Sequence, residues 1–238
     1  DPFITQAILS LPIYLFFKNM ISTYNLLSIF TLILSASTMY IFVYFLTKRA
    51  ILSILGAVIY TFNPFTLGHF PDQLQLFSLQ WIPLIFLFFE KSLKNQSSKN
   101  IFLFFLFLAI QALSSLYYMA FLSVILPLYG LIRIIQTKLS PQKLLNSGTA
   151  MGLIVLSIVC LGVLLLYQPI FKGFSDTSFL TNVAPIGSAA LKDYLSTTSG
   201  NFLYGNLRER ILFEWEHSLF WGITPIILFL LSFTLLKK

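Results

Sequence analysis

From Tyr24 to Thr47 the chain carries no charged side chain, and Lys48-Arg49 follow at once. A helix crossing the hydrocarbon of a bilayer needs about 20 such residues, at about 1.5 Å of rise each. Comparable runs recur at Ile51–Phe70, Leu74–Phe89, Thr149–Tyr167 and Ser218–Leu236. Ile101–Gln136 is long enough for two short spans broken near Ser114–Met119. The chain is 57% hydrophobic and 10% charged, with 26 Phe, and a soluble domain of 238 residues has no use for that much apolar surface. The expected fold class is all-α: a polytopic transmembrane helix bundle of about seven spans. Phe3–Phe17 is apolar but short, and Pro12 interrupts it. It reads as an interfacial or re-entrant helix, with a full span as the alternative.

Lysine and arginine orient the bundle. With Lys48-Arg49 in the cytoplasm and spans alternating, Lys91, Lys94, Lys99, Arg133, Lys138, Lys143, Lys237 and Lys238 fall on the same side. This is the positive-inside pattern. The basic residues outside are Lys18, Lys172, Lys192, Arg208 and Arg210, four of them in one long segment where the rule is weak. The net charge of +7 therefore reflects membrane topology and gives no argument for a nucleic-acid partner. The expected organisation is one transmembrane domain over 1–238. An interfacial helix at 3–17 is followed by six helices within 24–167, an extracytoplasmic loop at 168–217 and a last helix at 218–236. The chain opens on Asp1-Pro2 without Met and stops just after an apolar run, so it is expected to be a piece of a longer protein.

This topology gathers the unusual polar residues outside. Of the eight acidic residues only Glu90 falls inside. Between two apolar runs lies NPFTLGHFPDQLQLFSLQWIP, Asn63–Pro83, where polar groups are costly unless they are buried in protein, face water or bind something. Pro71 suits the first turn of a helix and Asp72 its positive end. His69 and Asp72 can face one another across the turn. Such a pair can bind a divalent cation, relay a proton or hold a phosphate-bearing group; the plain alternative is an N-cap at Asp72. Gln73 and Gln80 are spaced to share a helix face, as ligand contacts or as interhelical glue. Gln111, Ser114, Ser115 and Tyr118 make one polar stripe that could line a cleft with them or simply hydrogen-bond between helices. In the long loop, Arg208 and Arg210 offer forks for an anionic group, and Glu216-His217 sit where the last span begins.

Several signals are absent. There is no glycine-rich phosphate loop, no HExxH pair and no cysteine cluster, Cys160 being single. No charge sits deep in a span, which argues against a proton-driven pump or an ion channel. Phe62-Asn63-Pro64 is the one candidate helix break, with no partner elsewhere to suggest an inverted repeat.

Four stretches carry a resemblance: GAVIYTFNPFTLGHFPDQLQLFSLQWIPL from Gly56, QALSSLYY at Gln111–Tyr118, DPF at the start with YNLL at Tyr24–Leu27, and EHSLFWG at Glu216–Gly222. Scattered over nearly the whole chain, they resemble a group of large bacterial membrane proteins of the GT-C glycosyltransferase superfamily. The resemblance implies a helix bundle in the bacterial cytoplasmic (inner) membrane, with catalytic loops on the extracytoplasmic face. It implies transfer of a sugar from a polyprenyl-phosphate carrier to an acceptor. An acidic residue in the first outside loop acts as base or orients the acceptor in such enzymes. A second acidic or His-containing motif between the third and fourth spans assists, in some members with a divalent metal ion. If one span precedes this chain, His69 and Asp72 fall at that second motif. The first loop is mostly missing, and Asp1 is not equated with its carboxylate. The expected substrate contacts are Gln73, Gln80, Gln111, Tyr118, Arg208, Arg210 and Glu216, with Arg208 or Arg210 neutralising the phosphate leaving group. Two other classes stay open: a non-catalytic protein on the same scaffold that binds lipid or assists envelope assembly, and a transporter.

Overall fold

A computed structural model describes residues 1–138, 141–173, 188–197, 201–207 and 217–235. Among them every regular element is helical. In chain order these are α1 (Ile4–Phe17), α2 (Met20–Thr47), α3 (Ala50–Thr61), α4 (Pro64–His69), α5 (Leu74–Phe77), α6 (Ile82–Asn95), α7 (Ser98–Ser114), α8 (Leu116–Thr137), α9 (Ser147–Gly173) and α10 (Ile223–Leu235), with 3-10 turns at Pro141–Leu144, Leu191–Leu195 and Gly205–Leu207. Four stretches are long and apolar enough to cross a membrane: Met20–Thr47, Leu74–Asn95, Leu116–Thr137 and Ser147–Pro169.

Several boundaries differ from expectation, each for a local reason. Pro12 lies inside α1 and does not end it. Helix α2 begins at Met20 because the Asn19 side chain accepts the Ser22 N–H at 3.0 Å and caps it. The expected span Ile51–Phe70 is divided. Helix α3 stops at Thr61, and Asn63 caps a new helix with Pro64 in its first turn. The stretch Glu90–Asn100 is not all loop: α6 runs to Asn95 and ends at Gln96, whose φ of 51° is left-handed. Helix α9 continues to Gly173, past the expected end at Tyr167. The last helix starts at Ile223 rather than Ser218, after Gly222 at φ +91°, a conformation that glycine adopts without strain. The break near Ser114–Met119 is present as the extended Ser115 between α7 and α8.

The chain divides into two compact units. Unit 1 comprises Asp1–Thr61 and Gln73–Lys172; unit 2 comprises Phe62–Asp72 and Gly173–Lys238. Within unit 1 the α2–α3 pair is built inside-out relative to a water-soluble bundle. The buried face of α2 is Thr23, Leu27, Ser28, Thr31, Ser35 and Thr38, and that of α3 is Ser53, Ala57 and Thr61. Small hydroxyl and alanine side chains let the two backbones approach, while Ile29, Phe30, Ile33, Ile51 and Ile54 point away exposed. Lipid tails solvate such residues as well as a core would, so only packing and hydrogen bonding decide which face turns inward. The larger apolar core lies between α6, α7 and α8, around Ile85, Leu108 and Leu122 with Phe86, Phe104 and Phe107 against it. Gly148 and Gly152 of α9 lie against α7. A Cβ at Gly148 would fall 2.0 Å from the Ser98 carbonyl oxygen, and one at Gly152 2.6 Å from the Phe105 ring.

Candidate functional site

The helix break between α5 and α6, Ser78–Trp81, frees backbone carbonyls in the middle of an apolar stretch. Two tyrosines satisfy them. Tyr60 of α3 donates its hydroxyl to the Leu79 carbonyl at 2.9 Å, and Tyr118 of α8 donates to that of Leu76. Unpaired carbonyls in hydrocarbon are costly, so the two hydroxyls hold the break open. The break also separates Gln73 from Gln80, which do not share one helix face as expected. Gln73 is half-buried, whereas Gln80 is fully buried.

The polar stripe of α7 continues this region. Its residues straddle the extended Ser115, so Gln111 and Ser114 sit on α7 and Tyr118 on α8. Gln6 of α1 donates to the Ser114 hydroxyl at 2.8 Å and accepts from Thr5 at 3.0 Å. The Asp1 carboxylate accepts the Leu116 N–H at 2.7 Å and the Ser115 hydroxyl at 3.4 Å. Asp1 thus caps α8, whose own N-cap residue, Ser115, makes no capping bond with its side chain. Gln80 and Gln111 stand apart from this economy. Both side-chain amides are fully buried, and neither makes a hydrogen bond within the protein. A buried amide without partners costs about 1–3 kcal/mol, which makes these two the least explicable as mere glue.

Unit 2 holds a second polar constellation. In α4 the Asn63 side chain accepts the Thr66 N–H at 2.9 Å and donates to its hydroxyl at 2.9 Å. One turn on, His69 is 2% exposed, and its Nδ1–H donates to the Phe65 carbonyl at 2.7 Å. That bond fixes the tautomer and leaves Nε2 as the basic nitrogen. Asp72 is exposed and is not an N-cap, because Gln73 occupies that position before the four-residue α5. Pro71 correspondingly lies in the turn, outside any helix.

Farther along unit 2, Asp193 and His217 pair at 2.8 Å, Nδ1 to Oδ2, at 0% and 1% side-chain exposure. Asp193 Oδ2 also accepts the Ala190 N–H at 2.7 Å. The backbone is tied at the same place: the Leu219 N–H donates to the Asp193 carbonyl at 3.1 Å, and the Phe220 N–H to that of Ser196 at 3.0 Å. Phe220 packs edge-on to Tyr204, 5.2 Å between ring centres. A carboxylate bonded to Nδ1 fixes the orientation of the imidazole. The expected long loop contains both residues, but nothing in the sequence pairs them, since they stand 24 positions apart. The one signal is the burial of Asp193 within an otherwise exposed Leu191–Leu195 turn, and it is visible only in the folded chain. Arg208, Arg210 and Glu216 lie outside the described residues.

The fit of a divalent metal was tested on donor chemistry. His69 offers one ring nitrogen and Asp72 an exposed carboxylate, and among the described residues no group of three or more His, Cys, Asp or Glu converges. Those two residues alone do not make a closed metal site. Comparison with protein-family models, with curated proteins and with solved structures finds no match for the chain.

Proposed function

We propose that this is an integral membrane glycosyltransferase of GT-C type, with about seven spans in a bacterial cytoplasmic membrane. It moves a sugar from a polyprenyl-phosphate carrier to an acceptor hydroxyl on the extracytoplasmic face. In this reading the shorter apolar helices α3, α7 and α10 would serve as spans beside the four longer stretches. The observation that carries the reading is the Asp193–His217 pair. Within the expected extracytoplasmic loop, an imidazole held by a buried carboxylate is the chemistry a hydroxyl acceptor requires. In the proposed step His217 Nε2 takes the acceptor proton, and the acceptor oxygen bonds the anomeric carbon. The bond from that carbon to the phosphate oxygen breaks, leaving polyprenyl phosphate. Arg208 or Arg210 would neutralise the departing phosphate. His69 and Asp72 are second candidates for proton handling. Gln80 and Gln111 would hydrogen-bond sugar hydroxyls.

A second reading is favoured by the burial of the same pair: a non-catalytic membrane protein in which Asp193 and His217 only clamp the loop. The two readings separate in one experiment. Membranes carrying the full-length protein are assayed for sugar transfer from polyprenyl-phosphate donors, with His217→Gln beside wild type. The enzyme reading expects a fall of about 100-fold or more at unchanged protein level. Full activity in His217→Gln would remove His217 from the chemistry, and absence of transfer by wild type with any such donor would favour the clamp.

A further inference from the structure

The end of unit 1 that carries Lys48 holds a constellation that the proposed transfer does not use. A cavity of about 310 Å³ lies between the last turns of α2, α6 and α8. One wall is apolar, formed by Phe45, Leu46 and Leu93; the other carries Lys94 and Arg133. At its base Glu90, 6% exposed, accepts Arg133 Nε at 2.6 Å, Arg133 Nη2 at 2.7 Å and the Tyr129 hydroxyl at 2.5 Å. Arg133 Nη1 donates to Gln136 at 2.8 Å. A guanidinium has five N–H groups, so two remain for an outside acceptor. Glu90 cancels the Arg133 charge and leaves a surplus. Lys94 is exposed one turn beyond Glu90 on α6, and Lys48 and Lys91 lie over the Phe45 ring at 5.3 and 5.6 Å.

We propose that this pocket binds the phosphate headgroup of an anionic lipid in the adjoining leaflet. The two remaining Arg133 N–H groups and the Lys94 ammonium supply donors and charge, and the apolar wall takes the start of an acyl chain. Glu90 and Tyr129 hold the guanidinium in place, so the site is formed before the lipid arrives. A soluble phosphate would use the cations and leave Phe45, Leu46 and Leu93 uncovered, which is why a lipid is the better fit. The proposal is independent of the glycosyltransferase reading.

The test uses full-length protein in micelles with equal amounts of phosphatidylglycerol and phosphatidylcholine, the retained lipids being counted by native mass spectrometry. Wild type is expected to retain phosphatidylglycerol preferentially. Lys94→Ala should cut that preference about fivefold, and Lys94→Glu should abolish it. Lys143→Glu, the same charge change on another turn at this end, should leave it intact. Equal retention of both lipids by wild type would overturn the proposal, as would an unchanged preference in Lys94→Glu. A loss in Lys143→Glu matching that in Lys94→Glu would show general surface charge instead. Displacement of the retained lipid by millimolar inorganic phosphate would assign the pocket to a soluble anion.

Discussion

The carboxylate of Asp193 holds the imidazole of His217 at 2.8 Å, with both side chains out of contact with solvent. The same oxygen also accepts the Ala190 N–H. Asp193→Ala would leave two buried donors unsatisfied and is expected to destabilise the loop by about 2–4 kcal/mol. Asp193→Asn keeps one acceptor oxygen. It should therefore cost less in stability, while transfer falls in both variants, because neither keeps the carboxylate that orients the His217 ring. Thermal unfolding should separate the two variants, and full transfer activity in either would remove the pair from the chemistry.

Gly148→Ala should weaken the bundle, because the added methyl would meet the Ser98 carbonyl at 2.0 Å and backbone cannot swing aside. Overpacking of this kind costs about 1–3 kcal/mol. Gly162→Ala on the same helix meets nothing within 4 Å and should be neutral or slightly stabilising through helix propensity. Melting temperatures in detergent that move together for the two variants would argue against close α7–α9 contact.

Tyr60→Phe and Tyr118→Phe each remove the hydroxyl that satisfies a carbonyl at the α5–α6 break. Tyr118→Phe is expected to cost about 1–3 kcal/mol, and Tyr60→Phe less because the Leu79 carbonyl keeps the Ile82 N–H at 3.3 Å; packing changes little since the ring stays. A melting temperature unchanged within error in Tyr118→Phe would mean that the Leu76 carbonyl has another donor.

Gln111→Leu fills the same space with an apolar side chain where the amide makes no bond within the protein. Stability should hold or rise, by up to about 1–3 kcal/mol, while sugar transfer falls if the amide serves a ligand. Loss of stability in Gln111→Leu would show that the amide is structural after all.

Arg133→Ala strands the Glu90 carboxylate, 6% exposed, and is expected to cost about 3–5 kcal/mol. Arg133→Gln combined with Glu90→Gln removes both charges and should recover most of that loss. A double variant no better than Arg133→Ala, by thermal unfolding, would mean the damage comes from packing and not from the uncompensated charge.

Much of the scaffold was legible in the chain. The apolar runs marked α2, the α7–α8 pair and α9, and the polar residues at Ser114-Ser115 marked the break between two of them. The clustering of lysines between runs corresponds to one end of unit 1, where Lys48 and Lys91 share the Phe45 ring and Arg133 meets Glu90. Glu90 lies just past the apolar run Leu74–Phe89, and the mixed polar segment that it opens does not reveal that its first half is the end of a helix. Gln73 and Gln80 had the right spacing for one face, but spacing assumes an unbroken helix, and here two tyrosines from elsewhere stabilise a break. Asp193 carried no local pattern at all.

The sequence by itself determined that this chain is helical and carries stretches long and apolar enough to cross a membrane, because runs of uncharged residues in hydrocarbon leave the backbone no other partner than itself. It also determined which end of the bundle is basic, since charge is a property of composition and order. Only the tertiary structure decided which polar side chains meet. The pairing of Asp193 with His217, the capping of α8 by Asp1 and the fork of Arg133 on Glu90 join residues 24, 115 and 43 positions apart. Such contacts depend on how backbones approach one another, and in a membrane bundle that approach is set by small side chains and helix breaks rather than by an apolar pattern.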